Sequence, residues 1–372
     1  MDDKDVAYAK QGAMATRSWD CFQRLIRRCL GTGGGGSSSA GSRREGKEGG
    51  LSRTGGRAVT GLLVASLLVA GVIFGVRPAR AMTRTLERGP AIVIVAFGTT
   101  TDASETYDAF AAQLHKELPE AWQQAPVTWA YTSEIVRERV NKHFAEQGDP
   151  RRYKSLLQVL ADLEDQGYRR IAVQSLHIFP GQEYEEMERQ IAAFQGLGLR
   201  IEYGGTLLHR WDMLAAAVSA VAPDFLPTTE GCTLLVTHGT PQTFPGSNTT
   251  YLGLDRYLQQ GYGGKVTVGT IDGIISRQEA LGRVKGCVPA RVRMVPFMYV
   301  AGDHIMNDIM GDKPDKEGTP SWAMELQKDG IRVETVFTNY QGRQVFKGLG
   351  FYPGINQIFI KQLTESLERL RQ

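Results

Sequence analysis

Cysteine is scarce in this chain. Four residues, Cys21, Cys29, Cys232 and Cys287, are spread over 372 positions, too few to frame a fold of this length with disulfides. No C-x-x-C pair occurs, no G-x-S-x-G elbow, and no G-x-G-x-x-G or Walker loop follows a strand-like run. Neither a dinucleotide nor ATP is therefore indicated. Charge of one sign is also lacking, since 43 Lys+Arg against 40 Asp+Glu leave only +3. What is present is apolar: 42% hydrophobic and 9% aromatic residues, which excludes a disordered, collagen-like or disulfide-dense chain.

The small positive excess is unevenly placed. Residues 1–81 hold 13 basic and six acidic residues and 15 of the 43 glycines, leaving 30 basic against 34 acidic for the remainder. The basic segment and the folding segment are different, so the charge gives no ground for a nucleic-acid partner. Residues 58–76 form an uncharged apolar run between Arg53 and Arg57 on one side and Arg77-Pro78-Ala79-Arg80-Ala81 on the other. Small residues at Ala79 and Ala81 predict a signal peptide cleaved after Ala81, with a mature start at Met82 and a periplasmic destination free of the membrane. Left uncleaved, 19 residues rising about 1.5 Å each would nearly cross a hydrocarbon core of about 30 Å and anchor the chain. Residues 33–56 are a Gly/Ser/Arg stretch with nothing to bury, and translation from near Leu51 would give a signal peptide of ordinary length.

From Ala91 onward, short β-branched runs alternate with helical stretches. AIVIVAF, VTWAYT, RIAVQSLHI and IEYGGTLL read as strands of a first half; TLLVTH, KVTVGTI, RVRMVPFMYV and RVETVFT read as strands of a second. Continuous apolar strands separated by helices predict an α/β fold with parallel sheets covered on both faces. Phe97-Gly98-Thr99 matches His238-Gly239-Thr240, Thr132-Ser133-Glu134 matches Thr270-Ile271-Asp272, and Gly181-Gln182-Glu183 matches Gly302-Asp303-His304. Three matches in one order predict two pseudo-symmetric domains, 82–228 and 229–372, with a cleft between their facing strand ends.

Three of the six histidines follow strands. His238 ends a buried run and opens a Gly-Thr turn; His304 follows Gly302-Asp303; Asp272 ends the strand between them. Two imidazoles and a carboxylate suit a divalent transition metal with open coordination positions, although ordinary hydrogen-bonded strand ends would read the same way. Glu183 is a cleft carboxylate or an acid at a helix N-terminus, and Glu134 allows the same two readings. Phe97, Thr99 and His177 stand at the first-half strand ends, where a substrate would lie. His115, His143 and His209 read as surface or boundary residues. Cys232 and Cys287 could pair in an oxidising compartment, but two small buried apolar residues is the favoured reading.

Taken together, AFGTTTDASETYDAF, YTSEIVR, LHIFPGQEYEEM, VTHGTP, VGTIDG and VPFMYVAGDHIMNDI resemble, in order, the anaerobic cobaltochelatases of the CbiK type, from about Ala91 to the C-terminus. The resemblance implies a class II chelatase: two α/β domains that insert a divalent metal into a tetrapyrrole without a nucleotide. It implies sirohydrochlorin as substrate and Co²⁺ as co-substrate, on the route to cobalamin. It makes His238 and His304 the metal-binding imidazoles, His238 also the proton acceptor, and Glu183 an active-site carboxylate. Asp272 stands where the family usually has Glu, one methylene shorter. Sirohydrochlorin carries eight carboxylates, so anion recognition in this acidic chain must be local, at helix N-termini or at Arg137 and Arg277. Fe²⁺ insertion to give sirohaem, a carrier role without catalysis, a haem bound through His177, and a homo-oligomer stay open at this level.

Overall fold

The computed structural model describes residues 88–241 and 245–372; the leader, the apolar run and the cleavage point at Ala81 lie outside the described residues. Strand β1 (Ala91–Ala96) is buried along its whole length. The period-two alternation of side chains explains how. Ala91, Val93 and Val95 face one apolar cluster, with Leu160 and Ile191 of the covering helices, whereas Ile92, Ile94 and Ala96 face another.

Around β1 lie β2 (Val127–Tyr131), β3 (Arg170–Ser175) and β4 (Arg200–Gly204), in the order β2-β1-β3-β4. All three pairings are parallel. Helices α1 (Glu105–Glu117), α2 (Glu134–Glu146), α3 (Leu156–Asp165), α4 (Gln182–Gly196) and α5 (Trp211–Val221) complete this half. The second half repeats the plan with β5 (Cys232–Gly239), β6 (Val266–Asp272), β7 (Arg291–Pro296) and β8 (Arg332–Thr335), parallel and in the order β6-β5-β7-β8. Its helices are α6 (Pro245–Gly261), α7 (Arg277–Lys285) and α8 (Trp322–Lys328). Serine begins four of these helices in the same way. Ser133, Ser155, Ser276 and Ser321 each accept a hydrogen bond from the free backbone N–H three residues on, the capping that fixes where a helix starts.

The eight expected strands are all present, with one difference at the end. RVETVFT divides at Val336 into β8 and β9 (Phe337–Tyr340), and β9 turns back to pair antiparallel with β10 (Arg343–Phe346). Gln341 and Gly342 both take positive φ, 49° and 80°, as a two-residue hairpin turn with the right twist requires. The closing helix α9 (Pro353–Arg369) follows the second sheet in the chain yet packs on β3, β4 and α5 of the first half.

A single apolar cluster joins the inner faces of both sheets, running from Ile92, Ile94 and Phe110 to Leu235, Val295 and Phe297, with Phe359 and Leu363 of α9. Tyr107 stacks on Tyr299 across the halves at 6.2 Å between ring centres. Tyr299 donates to Asn356 Oδ1 at 3.0 Å, and Asn356 in turn donates to Gln113 Oε1 at 3.0 Å. An ion pair between Arg343 and Glu105 adds a polar link. Among the described residues no helix is long and apolar enough to cross a membrane.

Cys232 and Cys287 are not merely small apolar fillers: they form a disulfide across 55 residues. Both are buried in the outer cluster of the second sheet, Cys232 at the amino end of β5 and Cys287 in the loop between α7 and β7, so the packing that made them look like core residues also brings them together. Closing a loop of this size stabilises by about 4 kcal/mol in the chain-entropy account. The double variant Cys232→Ser with Cys287→Ser is expected to lose stability of that order in urea titrations. Reductant should have little further effect on it, and the activity of the folded fraction should be retained, because the bridge lies at the opposite strand ends from the cleft.

Candidate functional site

The loops beyond the carboxyl ends of the two sheets meet at two reciprocal places. A Cβ on Gly302, after β7, would lie 3.2 Å from Thr101 Oγ1 and 3.3 Å from Thr99 Oγ1, after β1. In the mirrored position Ser247 of α6 donates to the carbonyl of Pro180, beside Gly181, at 3.2 Å. Gly181 and Gly302 are the matched glycines of the two halves, and Gly98 and Gly239, also matched, both take positive φ, 100° and 85°. At Gly239 a side chain would overlap the carbonyl oxygen of Asp272, its partner across β5 and β6. Glycine there lets the β5 turn lie flat against β6 and sends His238 outward.

His238 and His304 come together with ring centres 4.9 Å apart, edge to face. His238 Nδ1 is 3.3 Å from the carbonyl of Gly239 and, as donor to it, leaves Nε2 with a free lone pair. His304 is tied through Nδ1 to Asp308 Oδ2 at 2.6 Å, which leaves its Nε2 open in the same way. Asp308 belongs to a π-helical turn at Ile305–Ile309, a wide turn frequent at functional sites. Burial, then the neighbouring His304, lowers the pKa of His238, partly opposed by Gly239, Asp272 and Asp308. The ring is therefore neutral and able to accept a proton or a metal near pH 7.

Asp272 is close enough for its charge to act on His238, but among the described residues no three His, Cys, Asp or Glu side chains stand assembled as a metal cage. The two imidazoles stand together without a third such side chain assembled beside them.

On the first half, Glu183 opens α4 beside Gly181. Burial raises its pKa, opposed by the nearby hydroxyl of Thr132 and the charge of Arg137. Phe97, the counterpart of His238, is 47% exposed just beyond the end of β1. Thr99 is hydrogen-bonded to Thr101 at 3.0 Å. Glu134 is exposed in the first turn of α2, as the helix-start reading predicts. His115, His143 and His209 are exposed.

His177 has both ring nitrogens engaged, Nδ1 with Ser175 Oγ at 2.7 Å and Nε2 with Thr132 Oγ1 at 3.3 Å, and so presents no nitrogen to a haem iron. Arg137 and Arg277 both hold partners within the protein. Arg137 donates to the carbonyls of Tyr131 and Thr132, both at 2.6 Å, and Arg277 is held by Glu325 at 3.0 Å and the carbonyl of Pro320 at 2.7 Å. Asp308 escaped the reading of the sequence, although its spacing of four from His304 on a helical turn is a legible signal. Asp308→Asn is expected to lower the affinity of the protein for Co²⁺, measured by isothermal titration calorimetry, roughly 10-fold to 100-fold. Unchanged affinity would mean that Asp308 does not orient the imidazole.

The sirohydrochlorin cobaltochelatase of Salmonella typhimurium is 25% identical over 280 residues, covering 74% of this chain and 96% of the relative. Sirohydrochlorin cobaltochelatase CbiKC of Nitratidesulfovibrio vulgaris is 26% identical over 291 residues, covering 75% and 91%. Among solved structures, SirB from Bacillus subtilis with Fe³⁺ aligns with a TM-score of 0.49 at 16% identity, covering 75% of this chain and 96% of that one. The model of the family described as cobalt chelatase (CbiK) matches residues 90–368, which include both sheets, the paired imidazoles and Glu183; the chain belongs to that family.

Proposed function

We propose that this protein inserts Co²⁺ into sirohydrochlorin, without ATP, for cobalamin biosynthesis. The observation that carries the reading is the pair His238 and His304, each tied through Nδ1 and open at Nε2, at the end of one sheet while Glu183 stands at the matched end of the other. Insertion needs a partly dehydrated metal, a bent macrocycle and the removal of two pyrrole protons. His304 and His238, with Asp272 reaching the ion directly or through water, hold the metal. His238 takes one proton, since burial keeps its ring unprotonated. Glu183 takes the other, because burial raises the basicity of its carboxylate. Phe97 and Thr99 line the side of the cleft opposite the metal and meet the macrocycle there. The names of the two curated relatives support both the metal and the tetrapyrrole.

The test is the absorption change of sirohydrochlorin mixed with Co²⁺ and the protein, followed in parallel with Fe²⁺. Acceleration over the metal-only control is expected with Co²⁺; faster insertion of Fe²⁺ would make the product sirohaem, and no acceleration with either would leave a carrier. His238→Ala should lose roughly 100-fold or more of the rate, and Asp272→Ala less. Equal rates for His238→Ala and the parent would remove His238 as the base.

The location we propose is the periplasm, after cleavage at Ala81. Besides the apolar run and its A-x-A site, a buried disulfide between Cys232 and Cys287 supports this, because such bonds persist in oxidising compartments and are rare in the cytosol. N-terminal sequencing of the exported protein should begin at Met82, and a start well before it would overturn the assignment.

A further inference from the structure

Glu183 stands beside a chain of hydrogen bonds that has no counterpart in the other half. The hydroxyl of Thr132 is near enough to its carboxyl group to lower the pKa against the effect of burial. Thr132 Oγ1 is 3.3 Å from His177 Nε2, and His177 Nδ1 is 2.7 Å from Ser175 Oγ. The polarity of this chain follows from its far end. Ser175 Oγ already accepts the backbone N–H of His177 at 3.2 Å, which favours turning its own hydrogen toward Nδ1. The imidazole proton is then on Nε2 and is donated to Thr132 Oγ1. With that lone pair used, the hydroxyl of Thr132 points its hydrogen at the carboxylate of Glu183. His177 can transmit this order because it stays uncharged: burial holds its pKa at about 4.

The second half shows that the fold does not require such a chain. Residues 170–183 align without a gap on residues 291–304, so that Ser175 faces Pro296, His177 faces Met298 and Glu183 faces His304. Thr270, the match of Thr132, turns its hydroxyl away, donating to the carbonyl of Ile275 at 2.9 Å. There the functional side chain is oriented by Asp308 instead. A polar Ser-x-His strand end thus occurs only where the cleft residue is a carboxylate.

We propose that His177 is a positioning residue which, locked by Ser175 and acting through the hydroxyl of Thr132, orients the Glu183 carboxylate to receive a proton from the substrate. The assignment rests on the chelatase reading above. Three substitutions separate hydrogen bonding from packing. His177→Phe keeps the ring and removes both bonds; His177→Asn can reach only toward Ser175; His177→Gln places an amide N–H near the position of Nε2 and can still donate to Thr132.

In the metal-insertion assay, His177→Phe and His177→Asn are expected to lose roughly 10-fold in kcat, the value of one well-placed hydrogen bond, with KM for sirohydrochlorin and for Co²⁺ little changed. His177→Gln should recover most of that loss. Equal kcat for His177→Phe and wild type overturns the assignment, as does an equal loss in all three. If the Phe variant does not fold, Thr132→Val and Thr132→Ser serve the same purpose, with loss expected for the first and retention for the second, and equal activity of the two overturning it. Nitrogen-15 NMR of the wild-type protein gives a readout independent of activity: a neutral ring protonated on Nε2 supports the chain, and an Nδ1–H tautomer or an imidazolium at pH 7 contradicts it. An inactive wild-type protein would sink the chelatase reading and this assignment with it, whereas an active wild type with a fully active His177→Phe sinks this assignment alone.

Discussion

The inner apolar cluster shared by the two sheets is the constraint on which the remaining structure depends. Each central strand is buried on both faces, and one face in each half is buried against the other half. Parallel strands carry their loops beyond the carboxyl ends, so joining the sheets through their inner faces brings two sets of such loops together. The meeting of those loops is a consequence of that joining. Helix α9, returning from the end of the chain to cover β3 and β4, ties the halves covalently as well as through packing, and Tyr107 on Tyr299 does so from within the shared cluster.

Within this repeated frame the halves have diverged in chemistry while keeping the backbone. Gly98 and Gly239 retain positive φ, yet the residue before each is Phe97 in one case and His238 in the other. Glu183 and His304 follow matched glycines. One half therefore presents two imidazoles, and the other an apolar ring and a carboxylate. The neighbouring groups have diverged too: His304 is bonded to an acid four residues on and His238 to its own turn. Burial acts in opposite senses on the two kinds of group. It lowers the pKa of His238 and raises that of Glu183, because in each case the charged form is the one penalised. Both shifts favour a carboxylate that will take a proton and an imidazole that starts without one.

Much of this was legible in the sequence. Eight strands and the repeated order of the two sheets could be read from apolar runs, and the pairing of His238 with His304 agrees with the short motifs at strand ends that single them out. Three kinds of feature could not. The disulfide depends on two strands' amino ends lying side by side, and 55 residues separate its members. The engagement of Arg137 and Arg277 with carbonyls and Glu325 depends on neighbours that local spacing does not identify. The chain from Ser175 through His177 to Thr132 crosses from β3 to the end of β2, so no short window of sequence contains it.

The sequence by itself determined which residues are available, which strands are buried on both sides, and that one plan is used twice, because these follow from residue type and from periods of two and 3.6. Only the tertiary structure decided which of those residues touch, and therefore that Nε2 is the free nitrogen of His238 and of His304. Hydrogen bonds of about 3 Å select a tautomer, and their partners are set by how sheets, helices and turns pack.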